Sequence, residues 1–229
     1  MTVTESTALR YQQSDPDVRL MLRVRDDDAG AFAELVSRYE GRLVRLMRTI
    51  GPKADLAEDL AQETFLRVFR ARKRYEAGAK FSTWLFTIAG NVARNSARSL
   101  GRRKEISEAD AGRGDLSPSS PALLTHNAPD ASGLMAARLV EGDERASVVR
   151  AAVESLSERQ RMAMMLSRFE NMSYQEIADT MNLTTKAVKS LLSRARVNLK
   201  EKLEPYIEHG VIENGAADQQ ATNAEREIE

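Results

Sequence analysis

The stretch Asn182–Arg196, NLTTKAVKSLLSRAR, carries four cations and no anion, in a chain whose 34 basic and 34 acidic residues cancel. Lysine and arginine at this spacing donate hydrogen bonds to anions, above all to phosphates and guanine edges. What matters is the face they occupy. Centred on Val188, Leu192, Ala195 and Leu199 fall on one side of a helix with Leu191 at its flank, while Lys186, Lys189, Ser190, Ser193 and Arg194 fall opposite. One face suits a core and the other is a short stripe of donors. A basic solvated face is the plain alternative for this helix taken alone.

What precedes it weighs against that alternative. Ser173-Tyr-Gln-Glu176 is a capping-box pattern opening a short helix from Tyr174 to Met181. Asn182-Leu183 supplies a tight turn, and Thr184 is placed to cap the next helix. Short helix, turn and basic helix make the helix-turn-helix layout, whose second helix enters the major groove.

Two further segments carry side chains fit for recognition. In FSTWLFTIAGNVARNSARSLGRR, Leu85, Ile88, Ala89, Val92 and Ser96 project as a core face. Trp84, Asn91, Arg94, Asn95 and Arg98 gather on another arc, joined by Arg102 if the helix continues. Amides and arginines read base edges, and an aromatic plane stacks on an unpaired base for about 1–3 kcal/mol. Alternatively, Trp84 plugs the edge of the core. In DLAEDLAQETFLRVF, Leu56, Leu60, Phe65, Val68 and Phe69 are expected inside. Asp55, Asp59, Gln62 and Glu63 form an outward acidic stripe around Leu66. Acids repel phosphate, so this face suits a basic protein partner; a solvated charged face with one stray leucine is the alternative.

The elements that must hold these side chains are helical throughout. Periodicity near 3.6 runs from Asp17 to about Leu100 and again from about Leu134 to Leu203, with almost no alternating strand pattern. The fold class is therefore all-α: two small helical domains, 17–100 and 134–204, joined by a Gly-, Ser- and Pro-rich linker over 101–133. Residues 1–16 are polar and expected to be disordered, and Pro205 is expected to end the last helix before a polar, acidic tail, 205–229. With zero formal net charge, any affinity for nucleic acid has to come from uneven charge placement. The absence of cysteine excludes disulfides and thiolate sites. The start lacks signal-peptide character, and no run reaches the ~18 apolar residues of a membrane span, so a soluble cytoplasmic protein is expected.

The three segments, in this order, resemble the extracytoplasmic-function (group 4) sigma factors of bacterial RNA polymerase. DLAEDLAQETFLRVFR resembles the family's polymerase-binding helix and FSTWLFTIAGNVARN its minus-ten reader. LSERQRMAMMLSRFENMSYQEIADTMNLTTKAVKSLLSRAR resembles its minus-thirty-five reader. The resemblance implies two helical domains, region 2 and region 4, that bind core polymerase through the β′ clamp helices and the β flap, recognise promoter DNA and help melt it. It implies polymerase contacts at Asp55, Asp59, Gln62, Glu63 and Leu66. Minus-ten contacts would come from Lys80, Phe81, Trp84, Asn91, Arg94, Asn95 and Arg98, with the loop Glu76–Lys80 holding a flipped base under Phe81 or Trp84. Minus-thirty-five contacts would come from Thr185, Lys186, Lys189, Ser190, Ser193 and Arg194. An anti-sigma factor is a further implied partner, and no cofactor, metal or stable membrane insertion is called for. Two departures stand out. Thr87-Ile88 replaces the tryptophan pair of housekeeping sigma factors, which makes opening more dependent on a well-matched promoter, and Leu191 stands where many relatives carry arginine.

Two other functions compete with this one. A regulator binding an operator through Tyr174–Arg196 without polymerase would need a sensing pocket, whereas 17–100 offers a second basic-aromatic reader. An enzyme would need catalytic groups, yet His126 and His209 lack metal-ligand spacing and there is no phosphate-binding glycine loop.

Overall fold

The computed structural model describes residues 5–111 and 145–208, and every regular element among them is helical. In chain order these are α1 (Glu5–Ser14), α2 (Pro16–Arg25), α3 (Ala29–Ile50), α4 (Ala57–Ala71) and α5 (Phe81–Ala111). They are followed by α6 over residues 145–154, α7 (Glu158–Arg168), α8 (Tyr174–Met181) and α9 (Thr185–Glu208). These residues divide between two compact units. The first holds α1–α5, α7, α8 and α9 as far as Ser193; the second holds residues 145–157 and α9 from Arg194 onward. In the second unit Ala152, Leu156 and Ala195 are the buried apolar side chains among the described residues.

The first unit is built around α3. Its apolar residues recur at three- and four-residue spacing, and Ala31, Leu35, Tyr39, Leu43, Leu46, Met47 and Ile50 are all buried. Helices α2 and α4 pack on it, and α4 in turn packs on α5. Asp28 caps α3 through the backbone N–H of Ala31, at 3.0 Å.

One carboxylate ties two helix starts together. Pro16 opens α2, where a missing N–H costs nothing, and Asp15 caps it, Oδ1 accepting from the N–H of Asp17 at 2.9 Å and more weakly from Val18. The other oxygen, Oδ2, accepts the backbone N–H of Phe81 at 3.0 Å, the first residue of α5. Asp17 then accepts the Tyr39 hydroxyl at 2.6 Å. Burial of the ring, reinforced by that carboxylate, pushes the Tyr39 phenol well above its ordinary pKa, so it stays a donor. Asp15→Ala strands N–H groups on both helices and is expected to cost about 2–3 kcal/mol, read as a lower urea midpoint. Asp15→Asn keeps one acceptor oxygen and should recover part of the loss.

Four sequence expectations change here. Residues 5–14 are helical as α1, which has no fully buried residue but packs Ala8 and Tyr11 against the core, while Arg19 Nη1 donates to its final carbonyls at Gln12 and Gln13. Helix α5 continues past Leu100 and Gly101 to Ala111, eleven residues into the expected linker, since Gly101 costs only about 1 kcal/mol in a helix interior. Helix α9 likewise passes through Pro205 to Glu208. The proline falls in the exposed last turn, where the hydrogen bond it forfeits can be replaced by water. Phe69, expected inside, is 38% exposed, with the Arg72 guanidinium over its ring at 4.0 Å. The remainder of the expected linker, the resumption of helix near Leu134, and His126 and His209 lie outside the described residues.

Candidate nucleic-acid interface

The basic helix is set by its caps. Ser173 Oγ accepts the N–H of Glu176, and the Glu176 carboxylate accepts the N–H of Ser173 at 2.7 Å, a complete capping box that starts α8 at Tyr174. Asn182 ends α8 in the left-handed region, φ 53°, and Thr184 Oγ1 accepts the N–H of Ala187 to start α9. The turn is as short as the sequence implies. Val188, Leu192 and Ala195 are buried and Leu199 is half-buried, while Lys186, Lys189, Ser193 and Arg194 are exposed. Thr185 and Ser190 are half-buried at the edge of this donor stripe, and Leu191 is half-buried against the core. Lys189 Nζ lies 5.7 Å from the centre of the Tyr174 ring, so the first residue of α8 supports a cation on α9.

On α5, Leu85, Phe86, Ala89, Val92 and Ala93 form the buried face. Asn91, Asn95 and Arg98 are exposed, as is Arg102 one turn on, and Arg94 is half-buried. Arg94 Nη2 donates to the Asn91 side-chain oxygen at 2.5 Å, which holds the guanidinium along the arc. The amides and cations therefore share one surface, as the projection required. Phe86 is the residue that projection missed, and Ile88 and Ser96 are only half-buried.

The aromatic residues divide. Phe81 is 1% exposed, its ring 5.3 Å from Tyr39 and 6.5 Å from Tyr75. It was expected at the DNA surface, and the structure places it in the core instead, because the Asp15 cap draws the first turn of α5 inward. Trp84 is half-buried, edge-on to Tyr75 at 4.9 Å, with part of its indole open to solvent. Lys80 pairs with Glu176 at 2.7 Å.

Beside the start of the loop that precedes α5 lies a concavity of about 580 Å³, walled by Arg19, Leu22, Arg23 and Arg25 of α2, Gln12 of α1, and Glu76 and Ala77 of the loop. Nothing in the sequence reading drew attention to α2. Its signal was the run Arg19, Arg23, Arg25 around an otherwise apolar helix.

The acidic face lies on α4. Asp59 and Gln62 are exposed, Asp55 is exposed just upstream, and Glu63 is half-buried with its carboxylate 2.7 Å from Arg67 Nε. Leu66 is 50% exposed. It edges a groove of about 740 Å³ between α3 and α4, whose floor includes Phe32, Val36, Val44 and Phe65. The α3 wall escaped the sequence reading, although Phe32, Val36 and Val44 each follow a buried residue by one position and so mark a second apolar stripe.

Residues 35–103 match the family described as Sigma-70 region 2, and residues 147–199 match Sigma-70 region 4. The ECF RNA polymerase sigma-E factor of Escherichia coli K12 is 34% identical over 191 residues, 83% of this chain and 96% of that protein. The RNA polymerase sigma-H factor of Pseudomonas aeruginosa is 31% identical over 193 residues, 84% of this chain and 96% of that protein. Among solved structures, CnrH in complex with the cytosolic domain of CnrY aligns with TM-score 0.58 at 25% identity, over 83% of this chain and 99% of CnrH. The sigma factor RpoE bound to the anti-sigma factor NepR, from Bartonella quintana, shares the fold with TM-score 0.53 at 24% identity, over 76% of this chain and 96% of that one.

Proposed function

This chain belongs to the ECF sigma factors of bacterial RNA polymerase, and from that premise we propose how its surfaces divide the work of starting transcription. The protein is an alternative sigma factor: it brings core polymerase to promoters and promotes their opening. The observation that carries the division is an opposition of charge. Donor stripes are exposed on α5 and α9, and the acid-ringed Leu66 stands on α4.

Asp55, Asp59, Gln62, Glu63 and Leu66 receive the basic clamp helices of the β′ subunit, with the α3–α4 groove taking an apolar side chain beside Leu66. Asn91, Arg94, Asn95 and Arg98 meet the minus-ten element. The concavity walled by Arg19, Arg23 and Glu76 is large enough for a flipped base, and Lys80 and the half-buried Trp84 act with the minus-ten reader at the start of α5. Thr185, Lys186, Lys189, Ser190, Ser193 and Arg194 read the minus-thirty-five groove, and the later part of region 4 meets the β flap. On this reading 17–100 acts as region 2 and 134–204 as region 4. No bond is made or broken by the assigned residues, and no cofactor is needed.

The protein partners in the solved relatives, the CnrY cytosolic domain and NepR, support an anti-sigma factor as a further partner of this chain. Among the described residues no helix is long and apolar enough to cross a membrane, and action on cytoplasmic polymerase follows from the function.

The test is in-vitro transcription with purified core polymerase and a randomised promoter library. Enrichment of a two-part motif is the expected result. A chain that never associates with core enzyme, or a complex with no template preference, would overturn the reading. At the residue level, Trp84→Ala is expected to slow open-complex formation about 5- to 150-fold, the kinetic equivalent of about 1–3 kcal/mol of stacking. Pre-melted templates should restore the rate, and a thermal melt checks that loss of the Tyr75 contact has not unfolded the helix. Failure of the rescue removes the stacking role.

A further inference from the structure

The groove beside Leu66 carries opposite charges on its two walls. On α4 it is lined by Glu58 and Gln62, with Asp55 and Asp59 exposed nearby. On α3 it is lined by Arg45 and Arg48, which share one helix face with Gly41 at i, i+4 and i+7. Glu40 is the anion on that wall. Arg48 Nη2 reaches Glu58 Oε1 at 3.5 Å, both side chains being largely exposed, so the pair adds little to the fold. Among the described residues no ion pair or side-chain hydrogen bond engages the Arg45 guanidinium. These cations repel the basic surface that the acids of α4 attract, so a segment bearing cations alone fits only half of the groove.

Gly41 is an independent observation on the same wall. It stands exposed in the middle of the 22-residue α3, where glycine destabilises a helix relative to alanine. A Cβ built there meets no atom within 4 Å, so nothing inside the protein calls for its absence. What a bare backbone at this place does provide is room for an outside group to come close. We propose that the polymerase segment docking beside Leu66 is a helix that crosses α3 at Gly41 and turns a carboxylate toward Arg45 and Arg48. The opposite charges of the two walls then set its direction in the groove. The proposal rests on the reading of α4 as the polymerase-docking face and adds the requirement that the partner bring an acid as well as cations.

The test measures equilibrium binding of the full chain to core polymerase beside its urea midpoint. Gly41→Ala is expected to raise the midpoint and yet weaken binding about 3- to 10-fold, with Gly41→Leu weakening it further. A glycine that served only the fold could not move the two readouts in opposite directions. Arg45→Ala with Arg48→Ala should weaken binding about tenfold and leave the midpoint nearly unchanged, because the ion pair lost is exposed. Arg45→Glu with Arg48→Glu should weaken it about 100-fold, and an acid-to-lysine substitution on the clamp helices should restore that variant while impairing the unaltered chain. Unchanged binding in the glycine or the arginine variants, or the lack of any restoring substitution, overturns the proposal. Leu66→Glu, measured alongside, tells the two readings apart. If it too has no effect, docking on α4 itself fails; if it alone weakens binding, docking stands and only orientation by α3 falls.

Discussion

Leu66→Glu is expected to weaken binding to core polymerase about 30- to 1,000-fold, the equivalent of about 2–4 kcal/mol for a lost apolar anchor and a buried unpaired charge. Leu66 is half exposed at the end of a groove floored by Phe32, Val36 and Phe65, ringed by Asp59, Gln62 and Glu63. That is the form of a docking anchor: one apolar side chain at the centre, polar groups around it to fix orientation. The substitution should leave folding intact, because position 66 lies outside the α4 core stripe of Leu60, Phe65 and Val68. Equilibrium binding to core enzyme, or pull-down of the isolated β′ clamp helices, reads the effect. Undiminished binding would remove α4 as the docking face. A lesser loss in Leu66→Ala than in Leu66→Glu would separate the missing contact from the added charge.

Lys189→Ala combined with Arg194→Ala is expected to lower transcription from promoters that depend on the upstream element about 30- to 1,000-fold, the equivalent of about 1–2 kcal/mol for each base-edge contact. Transcription from promoters with an unmatched upstream element should change little. Both side chains stand on the exposed stripe of α9, opposite Val188 and Leu192, so their truncation opens no cavity. The decisive readout is the ratio of activities on matched and mutated upstream elements. If the double variant still discriminates as the unaltered protein does, α9 is not the reader. A uniform loss on all promoters would mark phosphate contacts without sequence readout.

The helix-turn-helix was legible because its signals are local. A capping box, a residue able to adopt positive φ at 182 and a hydroxyl cap at 184 each act within three or four residues, and the structure uses all of them. The α5 arc was nearly as legible, since helical spacing alone separates Asn91, Asn95 and Arg98 from Leu85, Ala89 and Val92. Phe81 was misplaced because a surface aromatic and a core aromatic look alike in sequence when the deciding contact, Asp15 on the N–H of residue 81, spans 66 residues. The groove beside Leu66 was half seen for the same reason: α4 declared its own exposed leucine, but the wall it needs belongs to α3.

What the sequence determined alone is what short-range chemistry dictates: helices, their caps, the sign of each exposed stripe, and through the order of those stripes the sigma-factor family. Tertiary structure decided how far the helices run and which faces meet. Helix α5 passes Gly101 and α9 passes Pro205, because one unfavourable residue costs less than a whole helix gains. The pairing of Arg42 with Glu170 joins residues 128 positions apart, and Lys80 meets Glu176 across a similar span. Such contacts form only when packing brings distant surfaces together, and no periodicity within either segment carries their partner's address.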